Sequence, residues 1–235
     1  MAVIPTGIFR YGNHQGLPME AGEFSLARHP VTNAQWLHFI KDSGYEPESE
    51  HPRPETYLKH WNTDKKSPPK RLLQHPVTWI SFIDALYYTK WAGLEIPSEW
   101  WWEKAARGTE GHTFPWGSTL WGWGQDPFGQ LGTDKTATVD AFPEIRTAFG
   151  CEQMIGNVSE FCLSVEPYED SESQPESGLH LSTPDPKKVS EDELIALKGS
   201  CYLRSGGNLT KCSHRRRLSA GRRNSWTGLR VAWSE

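Results

Sequence analysis

Four cysteines, Cys151, Cys162, Cys201 and Cys212, are the side chains best suited to redox or soft-metal chemistry in this chain. No two of them form a C-x-x-C pair, so their spacing does not support a zinc ribbon. Four thiols are also too few to staple 235 residues into a disulfide scaffold. Cys212 stands out by its neighbours. It lies in "KCSHRRR", beside Lys211, His214, Arg215, Arg216 and Arg217. Cationic neighbours lower a thiol's pKa and make it a nucleophile or metal ligand. The alternative, open to all four thiols in a reducing compartment, is a small buried hydrophobe. His214 offers an imidazole to a metal, or is simply a surface residue in an arginine run. His29, His75 and His112 could join it only through the fold.

The same tail is rich in cations. Residues 204–230 carry Arg204, Lys211, Arg215, Arg216, Arg217, Arg222, Arg223 and Arg230 with no acid among them, while residues 166–176 hold Glu166, Glu169, Asp170, Glu172 and Glu176. This is either a basic face partly neutralised by an acidic loop or an anion-binding surface, with Arg204, Arg215 and Arg230 as its candidate ligand-binding residues. The net charge of −4 argues against a dedicated nucleic-acid binder.

The elements that must position these groups are short. Thr32 caps a first helix, with Gln35 completing a capping box, Trp36, Phe39 and Ile40 on one face, and Gly44 as the stop. Ser81 caps a second, with Ile83, Leu86, Tyr87 and Trp91 as its apolar stripe and Gly93 at its end. Ser98 caps a third over "EWWWEKAAR", which stops at Gly108. Residues 1–30 read as short strands and turns, 46–76 as a long loop, and Thr138–Phe142, "LIALKGSCYLR" and "TGLRVAW" as strands. Residues 166–197, rich in Ser, Glu, Asp and Pro, read as an exposed insertion. Helices early and strands at both ends make the class α+β, not alternating β-α.

Composition agrees. Twelve tryptophans, among them Trp100, Trp101, Trp102, Trp116, Trp121 and Trp123, with 21 Gly and 17 Pro, point to irregular structure in which indole N–H groups satisfy loop carbonyls. Mean hydropathy is −0.64 and no apolar run approaches the ~20 residues of a membrane span. The N-terminal residues lack a signal-peptide pattern, so the expected address is the cytoplasm, and "GNLT" at Asn208 carries little weight as a glycosylation site.

Taken in order, "IPTGIFRYGN", "HPVTNAQWLHFIKDSGY", "HPVTWISFIDALYYTKWAG", "EIPSEWWWEKAARG", "FPWG", "VDAFPE", "MIGNVSEF", "KGSC" and "GLRVA" resemble the successive motifs of the formylglycine-generating enzyme (sulfatase-modifying factor) superfamily. Each motif is weak alone; their shared order spans residues 1–235 as one domain. The resemblance implies a fold related to C-type lectins, loop-rich, with a twisted antiparallel sheet and two or three short helices. The superfamily also holds sulfoxide-synthase domains, a pyoverdine-maturation oxidase and variable ligand-binding proteins, so membership does not decide chemistry.

Formylglycine-generating enzymes hold copper(I) between two cysteines with four residues between them. By resemblance, Cys212 falls on the second of these, Arg215 on the family arginine that follows, and Gly207 on the first, while Cys201 falls on the aromatic of the G-G-S-W element. The pair is incomplete, and copper is not expected. The iron-binding histidine motif of sulfoxide synthases belongs to a separate N-terminal domain that this sequence does not include. The family calcium site at M-x-G-N-V-W-E-W implies Gln153, Gly156, Val158 and Glu160 as oxygen ligands, although Ser159 and Phe161 replace its tryptophans; the alternative for Glu160 is a buried hydrogen-bonded contact.

Three functions remain open: a non-catalytic scaffold binding a peptide, protein or small anionic ligand at its Arg-rich C-terminal face; an oxygen-dependent oxidoreductase of altered chemistry using Cys212 and His214 around a metal; and, last, formylglycine generation by one cysteine.

Overall fold

A computed structural model describes residues 1–12, 16–47, 54–62, 66–119, 135–164, 181–203 and 207–234. Arg204, Trp121, Trp123 and the acidic residues 166–176 lie outside these ranges. Four short strands open the chain: β1 (Ala2–Ile4), β2 (Gly7–Tyr11), β3 (Leu17–Ala21) and β4 (Phe24–Leu26). Helices α1 (Asn33–Ser43), α2 (Phe82–Ala92) and α3 (Glu99–Arg107) follow, and then β5 (Ser159–Cys162), β6 (Leu194–Lys198), β7 (Arg215–Ser219), β8 (Thr227–Gly228) and β9 (Ala232–Trp233). The fold is α+β.

The helix signals hold where expected. Thr32 and Gln35 form a reciprocal capping box, Ser81 forms another with Asp84, and Ser98 caps α3 through the Trp101 amide. Gly44 and Gly93 close α1 and α2 in the left-handed conformation that glycine adopts without steric cost.

A four-stranded sheet in the order β7-β6-β5-β8 forms the centre, antiparallel except for β5 beside β8. Alternation along its strands separates two layers. Phe161, Ile195 and Leu197 pack with Trp36, Phe39, Phe82 and Leu86 of α1 and α2. Cys162 and Ala196 face the other way, into a cluster with Trp100, Trp101 and Trp102 of α3 and with β1 to β4. Gly199 ends β6 at φ 73°, where an added Cβ would lie 2.7 Å from the Met154 carbonyl oxygen and 3.3 Å from the Trp102 ring. That close approach seats the segment after β6 on the 153–158 turn, with Ser200 Oγ accepting from the Gly156 amide and Asn157 O accepting from the Tyr202 amide.

Several expectations need correction. Thr138–Phe142 is a turn and not a strand: the Ala141 amide donates to Thr138 O, and Phe142 takes φ 64°. The end of the 166–197 span is core, because Ile195, Ala196 and Leu197 of β6 are buried. The buried residues of α2 are Phe82, Asp84, Ala85, Leu86, Tyr88 and Thr89, so Leu86 of the expected stripe is enclosed whereas Ile83, Tyr87 and Trp91 are only partly covered. Among the described residues four indole N–H groups meet side chains, Trp36 donating to Tyr57, Trp61 to Asn33, Trp91 to Asp42 and Trp102 to Glu160, while Trp116 donates to the backbone oxygen of Thr119. No helix among the described residues is long and apolar enough to cross a membrane.

Candidate functional site

Every residue of α3 is buried, including Glu99, Glu103, Lys104 and Arg107. Charges so enclosed require partners, since an isolated buried charge costs several kcal/mol or more. Strand register supplies them. Arg215 on β7 lies opposite Lys198 on β6, which lies opposite Glu160 on β5. Glu99 accepts from Arg215 Nη2 at 2.7 Å, with Nε 2.6 Å from its other oxygen. One turn further along α3, Glu103 accepts from Lys198 Nζ at 2.8 Å, from Arg107 Nη1 at 2.9 Å and from the Gly12 amide at 2.8 Å. The Lys198 ammonium also lies 5.9 Å from the Tyr11 ring and 5.7 Å from the Trp102 ring, within cation–π range. Glu160 completes the row. It accepts from Trp102 Nε1 at 2.6 Å, from Arg230 Nε at 2.9 Å and from Arg230 Nη2 at 2.8 Å. Arg230 then donates to the backbone oxygens of Ala27, Arg28 and Glu152, each at 2.7 Å.

Two of the three candidate ligand-binding arginines are therefore enclosed and paired. Arg215 and Arg230 are taken up by Glu99 and Glu160, and Arg223 pairs with Asp84 through two bonds of 2.7 and 2.8 Å. Arg216 lies 4.4 Å from the Trp226 ring, and Arg217 and Arg222 are exposed. The sequence hides the reason: the acids that neutralise these arginines stand on α2, α3 and β5, 70 to 139 residues away.

Cys212 is fully buried, and its thiol is raised well above the ordinary range, by burial first and by Glu103 second, against a smaller opposing effect of Arg107 and Lys198. Arg215 and Arg216, the neighbours that would activate the thiol, are engaged elsewhere, while Glu103 acts on it in the opposite sense. Cys151, Cys162 and Cys201 are also buried, all four are free, and burial raises Cys151 and Cys162 too. With glycine at 207 and Cys201 and Cys212 enclosed in the core, the residues do not fit a two-thiolate copper(I) site.

His214 is half-buried. Burial, then Lys198 and Arg216, hold its imidazole below the ordinary value, and its buried Nε2 has no hydrogen-bond partner among the described residues. The other candidate histidines are dispersed: His29 lies 3.3 Å from Glu152, and His75 bonds Thr136 at 2.9 Å. Among the described residues no three His, Cys, Asp or Glu side chains are placed to share a metal ion.

The four residues expected around calcium share one buried turn without forming an oxygen cage. Both Glu160 oxygens are occupied by Arg230 and Trp102, so a guanidinium already neutralises the carboxylate. Gln153 directs its amide nitrogen to the oxygens of Thr138 and Ala141, while its Oε1 accepts from Asn157. Gly156 and Val158 complete the turn, but the donor set as it stands does not fit the ion.

One feature sequence reasoning missed is an open cleft of about 290 Å³ between α2, Tyr45 and the Pro186–Lys188 turn. Tyr45 and Tyr87 line it with ring centroids 5.0 Å apart. The Asp84–Arg223 pair lies against it, and the Tyr45 hydroxyl donates to Asp84 at 2.7 Å. Burial, and then Asp84, push the Tyr45 phenol far above its usual value. The one signal in the sequence was the i, i+4 pair Ile83 and Tyr87, read there as core.

Comparison with known proteins places these features. The model of the sulfatase-modifying factor enzyme 1-like domain matches residues 1–235. The chain is 31% identical to hercynine oxygenase of Mycolicibacterium smegmatis over 89% of its own length and 53% of that protein, so it spans about half of that relative. It is 30% identical to the formylglycine-generating enzyme of Mycobacterium tuberculosis, over 67% of this chain and 71% of that one. Among solved structures, PvdO of Pseudomonas aeruginosa superposes with a TM-score of 0.70 at 19% identity, covering 98% of this chain and 92% of that one. Treponema denticola variable protein 1 superposes with a TM-score of 0.68 at 15% identity, covering 99% and 94%. At these identities the structural likeness concerns the fold alone.

Proposed function

Since the chain belongs to the sulfatase-modifying factor enzyme 1-like family over residues 1–235, we propose that it serves as a ligand-binding scaffold of that family and not as a formylglycine-generating oxidase. The state of Cys212 carries this reading: it is buried, with its pKa raised by burial and by Glu103, and the resemblance sets Gly207 where the family's partner thiol stands. A buried neutral thiol neither exchanges with a substrate thiol nor binds copper(I) as thiolate. Four free thiols suit a reducing compartment such as the cytoplasm.

The test is to incubate the protein with copper(I), oxygen, reductant and a Cys-x-Pro-x-Arg peptide while following peptide mass. No conversion is expected. Thiol-to-aldehyde conversion that disappears in Cys212→Ala would overturn the scaffold reading.

A second reading, an oxygen-dependent oxidoreductase of altered chemistry, is favoured by the likeness to hercynine oxygenase and by one observation, the buried Nε2 of His214, whose imidazole is held neutral and so keeps a lone pair for a metal. The chain spans only about half of that relative, so a metal on this reading draws its other ligands from elsewhere. A first-row metal that co-purifies with the protein and is lost in His214→Ala would move the assignment to this reading.

A further inference from the structure

A larger cleft, of about 530 Å³, opens where the chain enters α1. Its size falls within the ~300–1,000 Å³ of small-molecule sites. The walls are aliphatic: Val31, Val139 and Val231 are buried, and Leu94, just past α2, is half-buried. Backbone bonds fix these walls. The Ala27 amide donates to Val231 O at 2.9 Å, the Val31 amide to Leu229 O at 2.7 Å and the Val139 amide to Gln74 O at 2.9 Å. Arg230 holds the oxygens of Ala27 and Arg28 from behind. The space is thus formed before any ligand enters.

Two polar groups of the lining have no partner among the described residues. Tyr88 is only 5% exposed; its ring is packed by Trp36, Phe39 and Trp91, but its hydroxyl makes no hydrogen bond. Burial pushes that phenol up to about 12, so it remains a protonated donor. Arg28 is exposed, and its guanidinium makes neither a hydrogen bond nor an ion pair. No Asp or Glu is among the described residues that line the cleft. Glu152, beyond His29, lies 3.3 Å from His29 Nε2 and 3.6 Å from Arg146 Nε. The first-turn amides of α1 are already engaged, Asn33 by His75 O, Ala34 by Leu73 O and Gln35 by Thr32 Oγ1, so the helix end offers no donors of its own.

We propose that this cleft binds an apolar monocarboxylate of the medium-chain aliphatic class, its carboxylate toward Arg28 and its hydrocarbon chain against Val31, Val139 and Val231. A guanidinium with no acid beside it in the lining favours an anion, and its planar fork matches a carboxylate. The walls favour a chain over a planar ring, because the one aromatic face in the lining, that of Tyr88, is already covered. The proposal deepens the scaffold reading, on which it rests for the view that the domain binds without turning over, and it sets the ligand apart from the Arg-rich tail.

The experiment is calorimetric titration of the full chain with octanoate, 1-octanol and octylamine. Saturable one-to-one binding of octanoate is expected, with the uncharged and the cationic analogue about tenfold weaker or worse. Arg28→Gln should remove the preference, leaving octanoate no tighter than 1-octanol. Ala34→Leu fills the cleft from α1 and should abolish octanoate binding. Arg28 is exposed and Ala34 half-covered, so both variants are expected to fold, and an unchanged melting temperature confirms it. No saturable binding of octanoate up to about 10 mM, equal affinity for all three compounds, or octanoate binding that survives Ala34→Leu overturns the assignment. That failure leaves the scaffold reading intact, whereas peptide turnover at Cys212 would sink the scaffold reading whatever the cleft binds.

Discussion

Glu160 and Arg230 meet through two hydrogen bonds, 2.9 and 2.8 Å long, with neither side chain exposed to solvent. The same guanidinium holds three backbone oxygens, so the pair ties β5 to the 27–28 segment and to residue 152. Arg230→Met strands a buried carboxylate and is expected to cost ~3–5 kcal/mol in urea unfolding. Arg230→Lys should recover little, because an ammonium cannot reproduce a planar, multiply donating guanidinium. A loss under about 1 kcal/mol for Arg230→Met would mean that the pair is not the tie described.

The same pair bears on calcium. With Arg230 neutralising Glu160, added calcium and EDTA should leave the melting temperature unchanged. A calcium-dependent rise, scaling with ion concentration as ligand linkage requires, would show that Glu160 leaves Arg230 to take the ion.

Burial of the thiols predicts their reactivity. None of the four cysteines should react with a thiol reagent in the native protein near pH 8, and all four should react in denaturant. Stability should also fall above about pH 8.5, where thiols of the unfolded chain ionise. The folded state raises Cys151, Cys162 and Cys212, so in that range it holds protons that the unfolded state has lost. The contribution is complete below the unfolded pKa and declines as pH rises, by up to about 1.4 kcal/mol per pH unit for each thiol. Rapid native labelling of Cys212 would contradict its placement.

What was legible in the sequence was local. Thr32 with Gln35, Ser81 and Ser98 mark helix starts because a cap and its amide lie three residues apart. The core strand β6 was legible as an apolar run. Long-range pairing was not. Nothing in "KCSHRRR" announces that Arg215 will meet Glu99 or that Glu103 will raise the Cys212 thiol, since those partners come together only when α3 lies across β6 and β7. Reading charge from neighbours in sequence left a reactive thiol and an anion-binding face open as alternatives, whereas Cys212, Arg215 and Arg230 belong to a buried layer. The α2 stripe misled similarly: an apolar i, i+4 pair has the same spacing whether it faces a core or a cleft.

Acid should unsettle the protein through His60. Its imidazole is lowered to about 4, by burial first and by His75 second. Its Nε2 lies 3.0 Å from Asn33 Oδ1 while Nδ1 is buried without a partner among the described residues, which assigns the neutral tautomer with the proton on Nε2. Between about pH 6.5 and the folded value the unfolded chain binds the extra proton, so stability drops as pH falls, by up to about 1.4 kcal/mol per pH unit from this group. His60→Leu should flatten the slope by that amount. Unchanged pH dependence in the variant would locate the acid sensitivity elsewhere, with His75 or His214, whose imidazoles are also lowered.

The buried row under α3 makes the last prediction. Lys198 and Glu103 meet at 2.8 Å, with Lys198 wholly buried. Lys198→Met leaves Glu103 facing Arg107 and the Gly12 amide with less compensation, and a loss of ~3–5 kcal/mol is expected. Glu103→Gln keeps acceptors for Arg107 and Gly12 but leaves the Lys198 ammonium buried without its counter-charge, again a large loss. The double variant removes both charges together, and methionine fills the space between the Tyr11 and Trp102 rings. It should therefore be more stable than the sum of the single losses implies, by 0.5–3 kcal/mol in a double-mutant cycle. Additive losses would mean that each side chain answers to the rest of the layer and not to the other, and that the contact at 2.8 Å contributes no coupling of its own.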